Sequence, residues 1–230
     1  MISIRRSFAS PLQTSFITRG LRHARGRGWY KKYQEEGEEG FKRAKSPTPF
    51  DWENDGLSKL IDRSKRSQAF FNITIDGEAA GQIKFELADD ILPKTCENFK
   101  MLCTNSPETA FSYKGTAIHK IVKGTGIMGG DVENLNGRGS HSAFGERHFA
   151  DEGFVIPHTA PGLLTMATAG VHQNGSLFYV TTAPAPHLDG RSVAFGRVVE
   201  GAEVVARLSQ LYSMKGRFAQ RVAVADAGVL

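Results

Sequence analysis

A succession of short β-prone runs, each cut off by Gly, Pro or Asn, fills the chain from Ala69 onward and constrains it more than any other feature. Ala69 to Ile75 (AFFNITI) alternates as a half-buried strand does. Asp76-Gly77-Glu78 supplies a hairpin turn, and Ala80 to Leu87 returns as a second strand. Further runs follow at Thr116–Val122, Leu163–Thr168, Ser176–Thr182, Val193–Val199 and Arg221–Ala225. Helical periodicity is confined to two stretches. Leu92-Pro93-Lys94 starts one with proline in its first turn, and Phe99, Leu102 and Cys103 form its apolar side. Gly201 to Tyr212 is the other, with Val204, Val205, Leu208 and Leu211 on one face. Many short strands with two helices predict a mainly β fold: a closed antiparallel barrel with helices over its ends.

The charge is not spread evenly. Residues 1–69 hold 15 Lys/Arg and 8 Asp/Glu, whereas the remainder holds 14 and 16, so the basic character belongs to the N-terminal segment. Met1 to Gln34 carries eight Arg/Lys and no acid among Ser, Thr and apolar residues, which is the composition of a mitochondrial transit peptide; no long apolar core suggests secretion instead. A mitochondrial location, in the matrix or facing it, is the expectation. Ser46-Pro47-Thr48-Pro49 reads as an extended linker, and Asp51 to Arg66 has room for one short helix around Leu57, Leu60 and Ile61. Residues 1–68 are therefore assigned to a targeting sequence and an extended arm, and 69–230 to the folded domain. The arm interleaves cations with large aromatics: Arg25, Arg27, Trp29, Tyr30, Tyr33, Phe41, Phe50 and Trp52. Idle linkers are poor in aromatics, so these residues are candidates for partner binding, either to protein through aromatic anchors or to RNA through phosphates and stacking. No run is long and apolar enough to span a membrane. Cys96 and Cys103, seven residues apart on one expected helix, would stand roughly 10 Å apart, too far for a disulfide. They read as semi-buried thiols, and no His or Cys spacing suggests a metal.

The stretch Tyr113 to Asp131 (YKGTAIHKIVKGTGIMGGD) places two polar side chains, His119 and Lys120, at the centre of a β-branched strand. Lys123 to Gly130 reads as a glycine-punctuated loop folding beside it, and the pair would make a shallow pocket on a barrel wall. His119 and His158 read as satisfying backbone groups within the barrel. Gly129-Gly130-Asp131 opens a glycine-rich excursion to Gly145 with no complete phosphate-loop motif.

Over about 160 residues the chain resembles a cyclophilin. The matching pieces are FFNITIDGEAAGQIKFEL, LPKTCENFKMLC, SYKGTAIHKIV, MGGD, FADEGFVIPHTAPGLLTMATAG, NGSLFYVTTAP and HLDGRSVAFGRVVEG, all in order. The resemblance implies an eight-stranded barrel capped by two helices. It also implies peptidyl-prolyl cis/trans isomerisation without metal or organic cofactor. Rotation about an X–Pro bond crosses about 18–20 kcal/mol because the amide is conjugated. In active members an arginine donates toward the proline nitrogen, a glutamine and an asparagine anchor the substrate backbone, and apolar side chains wall a proline pocket.

Residue by residue, this chain departs from that pattern. Lys120 stands where the resemblance places the arginine, and Thr125 and Gly126 where it places a phenylalanine and a methionine. Met128 replaces the anchoring glutamine, Thr168 the asparagine and Leu177 a second glutamine. Tyr179 stands for the pocket phenylalanine, His187 for a tryptophan and Ser192 for a histidine; Leu188 matches. Lysine lacks the planar fork of arginine, and losing one charge-stabilising donor commonly costs about 3 kcal/mol, or ~10²-fold in rate. The expectation is a catalytically degenerate cyclophilin-like subunit of a large mitochondrial assembly, such as the mitochondrial ribosome or a respiratory-chain complex. The alternatives are an active mitochondrial isomerase assisting protein folding and a proline-peptide binding module without turnover.

Overall fold

The structure is a computed structural model that describes residues 64, 66–104, 109–211 and 220–230, all within one unit, Pro47–Leu230. The targeting segment, the aromatic arm, the linker and all but the end of the short helix expected before Arg66 lie outside the described residues, as does Tyr212.

Asp76 and Gly77 both take positive φ, 52° and 88°. They form the two-residue turn whose twist suits a hairpin, joining β1 (Gln68–Ile75) to β2 (Glu78–Leu87). β1 turns Phe71, Ile73 and Ile75 inward, and β2 turns Ile83, Phe85 and Leu87 inward, in the alternation read from sequence. The chain continues through α1 (Pro93–Thr104), β3 (Ala117–Ile118), β4 (Lys120–Val122), β5 (Gly126–Gly129), β6 (Leu163–Met166), β7 (Phe178–Thr181), β8 (Ala194–Glu200), α2 (Ala202–Gln210) and β9 (Val222–Val229). These strands form one sheet in the order β3-β9-β1-β2-β8-β6-β7-β5-β4, and every pairing is antiparallel. The two ends of that order, β3 and β4, are consecutive in the chain and separated only by His119. The sheet thus returns to its own start. With β3 and β4 taken as one run interrupted at His119, the nine short strands are the eight of the expected barrel.

One element differs from the reading of the sequence. Lys123 to Gly130 was expected as a loop on its glycines, yet Gly126–Gly129 is a strand paired on both sides, with β4 and with β7. Glycine serves close approach here rather than flexibility: a Cβ on Gly126 would sit 2.2 Å from the carbonyl oxygen of Val180.

The core is aromatic. Phe71, Phe85, Phe99, Tyr113, Phe178 and Phe195 are each at most 1% exposed. Their neighbouring ring centroids lie between 5.1 Å (Phe99–Tyr113) and 6.1 Å (Phe99–Phe178), mostly edge to face. The Tyr113 hydroxyl, buried with them, donates to the carbonyl of Ser176 at 2.8 Å. α1 contributes Phe99 and Leu102 and both cysteines, which are fully rather than partly buried and remain free thiols. Burial pushes both thiols well above their ordinary pKa, so neither is a nucleophile at neutral pH. The first turn of α1 is capped from far along the chain. The Glu152 carboxylate accepts from the backbone N–H of Lys94 (2.9 Å) and Thr95 (2.7 Å) and from the Thr95 hydroxyl (2.8 Å). α2 buries Val204, Val205 and Leu208 as its periodicity predicts. Among the described residues no helix is long and apolar enough to cross a membrane.

Candidate functional site

Strand register, more than sequence spacing, assembles the site. On the inward face Ile121 of β4 stands opposite Ile127 of β5, and Ile127 opposite Val180 of β7; all three are buried. One residue away on each strand, Lys120 stands opposite Met128, and Met128 opposite Tyr179. Because side chains alternate across a strand, these three form a row on the outer wall of the barrel. Lys120 is exposed, and Met128 and Tyr179 are half-buried.

Beside Tyr179 the wall opens into a cavity of about 470 Å³. Four residues singled out from the sequence line it: Thr168, Tyr179, Leu188 and Ser192. Lys120, Thr125, Met128, Leu177 and His187 do not line it. Of these, Thr125 and His187 meet one another, with Thr125 Oγ1 and His187 Nε2 sharing a hydrogen bond at 3.0 Å. The β4–β5 turn is thereby tied to the single turn of 3-10 helix at Pro186–Leu188 that carries His187 and Leu188. Sequence reasoning missed Phe154, Val171 and Arg191, which also line the cavity. They belong to segments between strands, where no periodicity shows what a side chain faces.

Those segments are held by hydrogen-bonded carboxylates. Asp151 accepts from the backbone N–H of His172 (2.9 Å) and from Asn174 Nδ2 (2.8 Å). Its neighbour Glu152 caps α1, so the loop that presents Phe154 is pinned on two sides. Asp189, next to Leu188, accepts from the backbone N–H and from Nδ1 of the fully buried His158, both at 2.8 Å. Nε2 of the same ring meets the Thr165 hydroxyl at 2.9 Å. His158 was expected to satisfy backbone groups; its ring instead joins two side chains. Burial lowers its pKa despite the carboxylate beside it.

His119 leans on the backbone of Ala117, which raises its pKa against the larger effect of burial, without a hydrogen bond of ordinary geometry. Neither ring nitrogen has a hydrogen-bond partner among the described residues. The ring lies against Gly137, where a Cβ would come within 2.3 Å of its Cδ2. Gly137 itself has φ of +86°, so it is required both by conformation and by space. Burial pushes the His119 imidazole below its ordinary pKa and keeps it neutral. The loop that covers it is wound around one carboxylate. Oδ1 of Asp131 accepts from the N–H groups of Glu133 (3.1 Å) and Asn134 (2.8 Å). Its Oδ2 accepts from Asn136 (2.9 Å), Gly137 (2.7 Å), Arg138 (3.0 Å) and Gly139 (3.1 Å). Burial opposes ionisation of Asp131, but these donors outweigh it and hold its pKa at about 2. No group of three or more His, Cys, Asp or Glu side chains gathers around a metal-sized site among the described residues.

An eight-strand barrel closed through His119, with a shelf and cavity on its outer wall, agrees with the comparison to known families. The family model for the cyclophilin type peptidyl-prolyl cis-trans isomerase/CLD matches residues 70–229. The chain is a member of the cyclophilin family. On this barrel the row Lys120–Met128–Tyr179 sets an ammonium, a thioether and a phenol side by side. At Gly126 the backbone of β7 leaves no space for the side chain that the pattern would carry.

Proposed function

We propose that this cyclophilin domain has given up efficient prolyl isomerisation and serves as an accessory subunit of a large mitochondrial assembly, such as the mitochondrial ribosome or a respiratory-chain complex. The observation that carries the reading is the Lys120–Met128–Tyr179 row. Catalysis needs a donor fork aimed at the proline nitrogen and an amide to hold the substrate backbone. An ammonium is a single hydrated charge without a plane, and a thioether is at best a weak acceptor. Losing the fork alone would cost about 3 kcal/mol of transition-state stabilisation, and the missing wall at Gly126 would weaken proline binding besides. The acid-free basic segment at the N-terminus supports a mitochondrial address, and the aromatic-basic arm supports attachment to a larger body. The retained cavity beside Tyr179 and Leu188 favours a second role that is compatible with the first, docking of a peptide without turnover.

A protease-coupled proline-peptide assay on the full chain tests the first half: no acceleration over the uncatalysed rate is expected, and substantial turnover would overturn it. Native-size fractionation of mitochondria tests the second half. The protein is expected to co-migrate with a large complex, and a free monomer would count against the subunit role.

A further inference from the structure

The chain is clamped where it enters the barrel. Arg66 donates to Asp90 twice (Nε to Oδ1 3.0 Å, Nη2 to Oδ2 3.1 Å) and to Glu86 once (2.9 Å), and Glu86 also accepts from Arg197 (2.9 Å). Asp89 accepts from the backbone N–H and the hydroxyl of Ser67, at 2.8 and 2.6 Å. Glu86 and its cross-strand partner Arg197 stand on the outer wall, because Phe85 and Leu87 turn inward. Yet the side chains of Arg66 and Asp90 are only 4% and 1% exposed. Charges shielded that well on an outer wall imply chain lying over them. The compact unit that holds the barrel begins at Pro47, ahead of the clamp.

An open groove lies beside the clamp. Gln68 stands opposite Glu86, and Glu86 opposite Arg197, so β8 is two strand spacings, roughly 10 Å, from the start of β1. Val198, the residue after Arg197, lines a groove of about 350 Å³. Pro161 and Thr182 line it with Val198 from the strand ends, and Ala202, Val205 and Ala206 from α2. Ala202 and Ala206 are exposed, and side chains that small let a neighbouring backbone approach closely.

We propose that this groove seats the segment just before the clamp, with Leu57, Leu60 and Ile61 packed against Val198, Val205 and Ala206. Their spacing of three and four gives one apolar face, which has to be buried against something. The stretch from Ile61 to Arg66 spans up to about 17 Å, enough to run from clamp to groove. Tethering decides between occupants. A segment joined this closely to the groove has an effective concentration in the millimolar range, which neither a second copy nor a foreign protein matches. Pro47 then marks where the partner-binding arm ends. Phe50 and Trp52 belong with the domain, and the residues from Arg25 to Phe41 are left to meet a partner.

The test is hydrogen exchange read by mass spectrometry on the full-length chain. Amides of residues 57–63 should exchange at least about tenfold more slowly than those of residues 25–45. Ala206→Trp fills the groove, and Leu60→Asp spoils the face that enters it; each should bring 57–63 to the rate of 25–45. Ala206→Leu serves if the indole disturbs α2, and retained protection of β1 and β2 shows that the barrel is folded. Arg207→Trp, on the same helix but outside the groove, should leave 57–63 protected. Fast exchange of 57–63 in the parent, protection that survives filling of the groove, or its loss in Arg207→Trp would overturn the proposal. Protection that vanishes on about hundredfold dilution would assign the groove to a second copy and overturn it too. None of these readouts depends on isomerase activity or on co-migration with a complex, so the subunit reading stands or falls separately.

Discussion

Asp131 offers the sharpest test of how this barrel is held together near its cleft. The side chain is fully buried, and its two oxygens receive six backbone N–H groups. Its pKa is held at about 2, against an ordinary 3.8. At about 1.36 kcal/mol per pH unit, a difference of about 1.8 units contributes about 2.4 kcal/mol to folding. The sign follows from the direction. A depressed carboxyl pKa contributes fully above the unfolded value, so the stabilisation is complete above about pH 4 and is lost as pH falls toward 2. Asp131→Asn removes the charge and turns an amide N–H₂ toward donors that need an acceptor. At pH 7 the variant should lose at least about 2.4 kcal/mol, and more if the loop reorganises, which for a domain of this size is a fall in Tm of about 5–10 °C. Urea titrations of parent and variant at pH 7, 4 and 2.5 read this directly. The gap between the two proteins should narrow as the pH drops, because the parent loses what the variant never had. A loss under about 1 kcal/mol at pH 7, or a gap that stays constant from pH 4 to 2.5, would refute the assignment of the loop's stability to this carboxylate.

Further outcomes follow from single contacts. Lys120→Arg alone should raise isomerase activity by less than about tenfold in the protease-coupled assay, because Met128 and Gly126 still leave the substrate unheld; a gain near a hundredfold would mean that the fork is all that was missing. Gly126→Ala should destabilise by about 2–3 kcal/mol in chemical denaturation, since the new methyl meets a backbone carbonyl that cannot rotate away. A neutral result would show that β5 and β7 can separate. Glu152→Ala should cost about 1–2 kcal/mol by removing the cap of α1, and Glu152→Gln should recover part of it. Equal losses in the two variants would show that the carboxylate's hydrogen bonds are not the source.

The barrel was largely legible because its strands obey a period of two. Phe71, Ile73, Ile75 and Ile83, Phe85, Leu87 announce their inward face in the sequence, and the Asp76-Gly77 turn sets their register. β5 was missed because Gly126 and Gly129 carry no side chain to alternate, and glycine reads as a breaker when in fact it accommodates neighbours. The cleft was half legible. Tyr179, Leu188 and Ser192 came from motifs and do line the cavity, whereas Phe154, Val171 and Arg191 are put there by loops. Those loops take their course from Asp151, Glu152 and Asp189, whose hydrogen bonds reach partners 21 to 58 residues away. The residues at 1–63 bear on targeting and attachment and lie outside what the structure describes.

The same strands explain how a fold can persist while its site changes. On β4, β5 and β7 the inward residues Ile121, Ile127 and Val180 are locked into a packed core, where losing a methylene or adding one is felt at once. Their outward neighbours lie outside that core, Lys120 exposed and Met128 and Tyr179 half-buried, so substitution there should cost the barrel less. A change of chemistry on the outer row therefore weighs less on stability than a change in the core. The converse also holds. At Gly126 the backbone itself has closed up, since a Cβ there would meet the Val180 carbonyl. A side chain at position 126 would therefore require β7 to move away from β5, a change in the scaffold rather than in the outer row.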